Sequence, residues 1–157
     1  MQNQKNYIGF VNDHSGSMSG IRRAAAADYN ANIDAVKTAA SREMLDTVVS
    51  VVGVGFPRGA DVTRQVQISN PHVLKPITDW PTDGGTPLYD GIASMINLLK
   101  GLPYADNPNV SFLVMITTDG EESHSRLYTA TTLSYLISDA QKTGRWTFVF
   151  RVPRDAS

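Results

Sequence analysis

The spacing of hydrophobic and polar positions changes several times along the chain, and each change marks an element. Residues 7–11, YIGFV, are a short apolar run that stops at Asn12-Asp13, the pattern of a buried strand entering a polar loop. The loop that follows, HSGSMSG, is rich in Ser and Gly. Ile21, Ala25, Tyr29, Ile33, Val36 and Ala40 then recur three or four apart, which predicts one face of a long helix. Ser17 or Ser19 is placed to cap its first turn. Residues 47–56, TVVSVVGVGF, are β-branched and almost continuously apolar, as in an interior strand covered on both faces. Pro57-Arg58-Gly59 predicts a turn. Asp61–Ser69 then alternates, with Val62, Arg64, Val66 and Ile68 expected on one side, so it reads as an edge strand paired antiparallel to its predecessor.

Residues 70–87 carry Pro71, Pro76, Pro81 and Pro87 and close on Asp83-Gly84-Gly85-Thr86-Pro87, which predicts a loop. Leu88, Ile92, Met95, Ile96 and Leu99 return to helical spacing until Gly101. Residues 110–116 form a second buried apolar run that opens into TTDGEES. Residues 128–142 place Leu133, Leu136, Ile137 and Ala140 on one helical face, with Gly144 as the stop. Residues 146–152, WTFVFRV, make the last strand before Pro153. The order β-α-β-β-α-β-α-β predicts a Rossmann-like, doubly wound α/β fold. Its sheet is mostly parallel in the order 3-2-1-4-5, with one antiparallel edge strand and helices on both faces. The 157 residues suit one domain, 1–157.

Composition narrows the function. Hydrophobic residues make up 41% and charged residues 18%, enough apolar matter to fold. Lys and Arg number 14 against 15 Asp and Glu, a net charge of −1, so no nucleic-acid or membrane surface is expected. Lys142, Arg145, Arg151 and Arg154 read as a solvated end. No stretch approaches the ~20 apolar residues of a membrane span, and the first ten residues have no apolar leader region. With no cysteine, disulfides, thiolate zinc sites and cysteine nucleophiles are excluded. A cytoplasmic location is the expectation.

In a doubly wound sheet, ligands bind beyond the carboxyl ends of the strands where the strand order reverses. Here that point lies between the first and fourth strands, where residues 13–19 and 117–123 form the loops. Asp13, Ser15 and Ser17 fall at i, i+2 and i+4, so a curling loop aims all three at one centre. Asp119 follows the other strand, and Thr86 lies in the Gly-Gly-Thr-Pro loop. Two carboxylates and three hydroxyls, without sulfur, describe a hard-cation site at the loop edge. Mg²⁺ is favoured, with Mn²⁺ and Ca²⁺ as alternatives, because neutral hydroxyls and retained water suit a small six-coordinate ion.

Asn12–Met18 (NDHSGSM), Asp83–Gly91 (DGGTPLYDG) and Ile116–Ser123 (ITTDGEES) together resemble the three loops of a von Willebrand factor A (VWA) domain. That family's metal-ion-dependent adhesion site uses a D-x-S-x-S loop, a distant Thr and an Asp at the end of a central strand. Matched by motif, these are Asp13, Ser15 and Ser17, then Thr86, then Asp119. The resemblance spans the chain and implies a Rossmann-like sheet with an antiparallel third strand. It also implies a protein partner whose acidic side chain completes the metal coordination, and no catalysis. A full domain of the family has a sixth strand and a last helix. Neither is visible after Pro153, so a minimal or shortened form is expected.

Other assignments compete at single positions. Asp13 at the end of the first strand is also where a metal-dependent phosphoryl-transfer enzyme places its nucleophile. Such enzymes need a second carboxylate two residues on, where this chain has Ser15. His14 is expected to point outward at the rim, and Glu121 and Glu122 to be solvated or at the rim. Asp83 and Asp90 are read as second acceptors or helix-terminus residues. His72 and His124 have no assigned role, and the pattern leaves Trp80, Tyr89 and Tyr104 open between core and interface.

Overall fold

The computed structural model describes residues 5–43, 46–55 and 61–153. The predicted turn at Pro57-Arg58-Gly59, and Arg154, lie outside them. The elements are β1 (Lys5–Asp13), α1 (Arg22–Glu43), β2 (Asp46–Gly55), β3 (Asp61–Ser69), α2 (Leu88–Lys100), β4 (Val110–Thr117), α3 (Ala130–Lys142) and β5 (Trp146–Arg151). Short 3₁₀ turns cover Gly16–Ile21 and Pro71–Val73. The sheet runs β3-β2-β1-β4-β5, parallel except for β2 against β3. Order and directions are those the alternation predicted.

The pleat of β1 divides the core. Tyr7 and Val11 face α2 and α3 and pack with Ile92, Ile96 and Phe112. Ile8 and Phe10 face the other way and pack with Ile33, Val51 and Trp80. Phe112 and Trp146 stack with centroids 4.0 Å apart. Trp80, left open by the sequence pattern, is fully buried, whereas Tyr104 is exposed.

One predicted alternation breaks. Val62 packs against the α2 side, but Val66 packs against the α1 side. The register explains this: Val52 pairs with Arg64 while the adjacent Val51 pairs with Val66, so Gln65 is an extra residue. A bulge of this kind turns the residue that follows it to the other face, and a second register shift lies between the partners of Val51 and Val49. The helix starts differ as well. A 3₁₀ turn precedes α1, its N-cap residue Ser15 makes no side-chain cap bond, and neither Ser17 nor Ser19 takes the predicted capping role. At α3 the cap is a reciprocal Thr129–Thr132 box, which the sequence reading did not foresee.

Candidate metal centre

β1 and β4 lie side by side, Asn12 against Thr117, so the loops that leave them open at the same sheet edge. Three loops meet there and are tied pairwise. Gly16 N–H donates to the Gly84 carbonyl at 3.0 Å, and Asp83 N–H donates to the His14 carbonyl at 2.8 Å, joining the first loop to the second. Ser123 N–H donates to the Thr86 carbonyl at 2.7 Å, and Thr86 N–H donates to the Ser123 hydroxyl at 2.9 Å, joining the second to the third. The Thr118 hydroxyl donates to Asp13 Oδ2 at 2.7 Å and closes the ring. At the end of β2, Gly55 has φ +95°, and a Cβ there would lie 2.9 Å from the carbonyl oxygens of Asp83 and Gly85. Only glycine lets β2 approach the loops this closely.

Asp13 is fully buried, not at an open edge as the sequence suggested. Its Oδ1 accepts from Ser15 N–H at 2.9 Å, and Trp80 Nε1 donates to its carbonyl at 2.8 Å. The Ser15 and Ser17 hydroxyl oxygens are 3.0 Å apart. Thr86 is buried and Asp119 half-buried, the latter accepting from Glu121 N–H at 3.1 Å. The fold therefore joins Asp13, Ser15 and Ser17 directly. Asp119 lies near enough for its charge to act on Asp13, and Thr86 enters through its backbone. Burial pushes the Asp13 carboxyl above the usual carboxylate range, and the Asp119 charge adds to this against the hydrogen bonds from Ser15 and Thr118.

Among the described residues the ion pairs are Lys5–Asp46, Arg22–Asp79, Lys142–Asp139 and Arg151–Asp28, and none includes Asp13 or Asp119. A buried carboxylate with a like charge nearby and no basic partner fits a cation. Among the described residues no three His, Cys, Asp or Glu side chains are grouped to hold a metal. The candidate set has only two carboxylates, and its remaining donors are hydroxyls.

His14 corrects the sequence reading. It is buried, with its ring centroid 4.5 Å from that of Trp80 and Nδ1 2.9 Å from the Pro81 carbonyl oxygen. The Gln65 side chain of the β3 bulge also bonds to it. Glu122 is not simply solvated: Oε1 accepts from Tyr89 N–H at 2.9 Å, at the first turn of α2. Asp90 accepts from the N–H groups of Arg126, Leu127 and Tyr128, so it organises the third loop. Thr118 and Ser123 escaped the sequence reading; their only signal was membership of the same TTDGEES loop as Asp119.

The chain is similar to the solved structure of proximal thread matrix protein 1 from the mussel byssus, with a TM-score of 0.56 and 16% identity, covering 96% of this chain and 36% of that one. Against a second crystal form of the same protein the TM-score is 0.58 and the identity 14%, covering 96% of this chain and 38% of the other. The chain thus spans little more than a third of the matched chains, and the likeness is one of fold. That fold is the Rossmann-like arrangement implied by the VWA resemblance. No family model and no curated protein matches the sequence. Among the described residues no helix is long and apolar enough to cross a membrane.

Proposed function

We propose that the chain is a VWA-type module that holds a divalent cation, Mg²⁺ foremost, through Asp13, Ser15, Ser17, Thr86 and Asp119. Through that cation it binds an acidic side chain of a protein partner. The observation that carries this reading is the ring of three interlocked loops around a buried Asp13 carboxylate that has no ion-pair partner among the described residues. When bound, the ion supplies an electrophilic centre for a partner oxygen and neutralises the two carboxylates. The protein's part is to fix the donors in advance. Ser15 N–H and the Thr118 hydroxyl orient the Asp13 carboxylate, Trp80 anchors its carbonyl, and Ser123 clamps the Thr86 backbone.

These contacts speak against phosphoryl transfer from Asp13. In-line attack needs an open carboxylate oxygen with room for a phosphoryl group, but both Asp13 oxygens accept protein hydrogen bonds and the residue is buried. A cation needs only a remaining lone pair or a bridging water. The test is calorimetric titration of Mg²⁺. Saturable binding to one site is expected in wild type and strong weakening in Asp119→Asn, which opens no core cavity. Equal affinity in the two proteins contradicts the site.

A further inference from the structure

We propose that His124 is a second anchor for the partner's carboxylate, donating from Nε2 to the oxygen that the metal does not take; this rests on the metal-dependent reading above. His124 sits in the left-handed region at φ +70°, a strained conformation for a residue other than glycine. The core does not require it, because the residue is exposed and belongs to neither core cluster. What the strain achieves is a fixed place for the ring. Nδ1 lies 2.7 Å from the Ser123 hydroxyl, the same hydroxyl that accepts from Thr86 N–H. The ring also rests on Gly85, where a Cβ would lie 2.2 Å from Nδ1 and 2.6 Å from Cε1. A glycine next to the candidate ligand Thr86 thus makes room for an imidazole at the rim of the metal face.

The hydrogen bonding accommodates the tautomer that donation from Nε2 needs. Ser123 Oγ accepts from Thr86 N–H and keeps its own proton to give to His124 Nδ1; the proposed contact requires this arrangement, in which the ring proton sits on Nε2. A carboxylate that gives one oxygen to an ion has a second oxygen with lone pairs to spare. A fixed N–H donor beside the ion therefore rewards a carboxylate over a hydroxyl. It also rewards Glu over Gln, whose amide presents N–H groups of its own. Such charge-assisted bonds are stronger than neutral ones.

The test titrates the peptide acetyl-Gly-Glu-Gly-amide, with its Gln counterpart as control, into Mg²⁺-loaded protein followed by NMR, with the Mg²⁺ affinity measured separately by calorimetry. His124→Ala is expected to weaken the Glu peptide about fivefold or more while Mg²⁺ affinity persists. Gly85→Ala, which displaces the ring but keeps every candidate ligand, should weaken it similarly, and His124→Gln should recover part of the loss. His124→Gly, suited to the positive φ, stands in if the alanine variant melts early. Mg²⁺-dependent peptide binding that is unchanged in the His124 and Gly85 variants overturns this assignment alone. Wild-type protein that shows no Mg²⁺-dependent peptide binding overturns the metal-dependent reading and this assignment with it.

Discussion

Asp13 and His14 are adjacent, both buried, and opposite in their response to pH. Burial raises the Asp13 carboxyl above its ordinary 3.8, so the metal-free folded chain holds that proton more tightly than the unfolded one. Its contribution favours folding in acid and is lost as pH rises through the folded value. Asp13→Asn should therefore raise the melting temperature of the chelator-treated protein at neutral pH. A lower value would contradict the account of Asp13 as a buried charge awaiting a cation. Burial also lowers the His14 imidazole below 6.5, against the pull of the Pro81 carbonyl and Gln65. The unfolded chain takes that proton first, so stability is lost as pH falls below about 6.5. His14→Phe, which keeps a ring against Trp80, should lose this acid sensitivity in melts between neutral pH and pH 5. The same steep decline in the variant would show that another group is responsible. The orientation of His14 was not legible in the sequence. Strand alternation does not continue past Asp13, and the residues that enclose His14 come from the proline-rich stretch before Thr86 and from the Gln65 bulge, neither of which has a period to read.

At the scale of elements, long apolar periods were legible and local exceptions were not. The continuous run in β2 and the i, i+3, i+4 pattern in α2 fixed an interior strand and a buried helix, and their contact follows. The bulge at Gln65 was hidden because Asp61–Ser69 alternates well enough in sequence to suggest one face throughout. The packing of α2 on β2 rests on Gly91, where a Cβ would lie 2.4 Å from Val54 Cγ2. Val54 is β-branched and fully buried, so it has little freedom to yield. Gly91→Ala should cost roughly 1–3 kcal/mol of overpacking, offset by up to about 1 kcal/mol of helix propensity. The net destabilisation should appear in a denaturant melt. Because Thr86-Pro87 leads directly into α2, a shift of this helix should also weaken Mg²⁺ binding. A stabilised variant would mean that α2 can move away from the sheet at no cost.

The whole molecule is an α/β sheet that brings three loops, separated by long stretches of chain, to one edge. Strand order was legible because alternation leaves few topologies open, and the motif residues pointed to the same edge. Asp90, expected as a second acceptor or helix-terminus residue, does accept from the third loop; the bonds made by Thr118 and Ser123 were not legible, since neither carries a spacing signal of its own. A divalent cation held at this edge would stabilise the folded chain by linkage, which makes its binding measurable by melting. At a hundredfold excess of Mg²⁺ over its dissociation constant, binding should add about 2.7 kcal/mol of stability, a rise of roughly 5–10 °C for a chain of this size. The decisive measurement is a set of four thermal melts, wild type and Asp13→Asn, each in Mg²⁺ and in chelator. A clear Mg²⁺-induced rise is expected in wild type and little or none in Asp13→Asn; equal rises in the two proteins, or none in wild type, would contradict a cation held by Asp13.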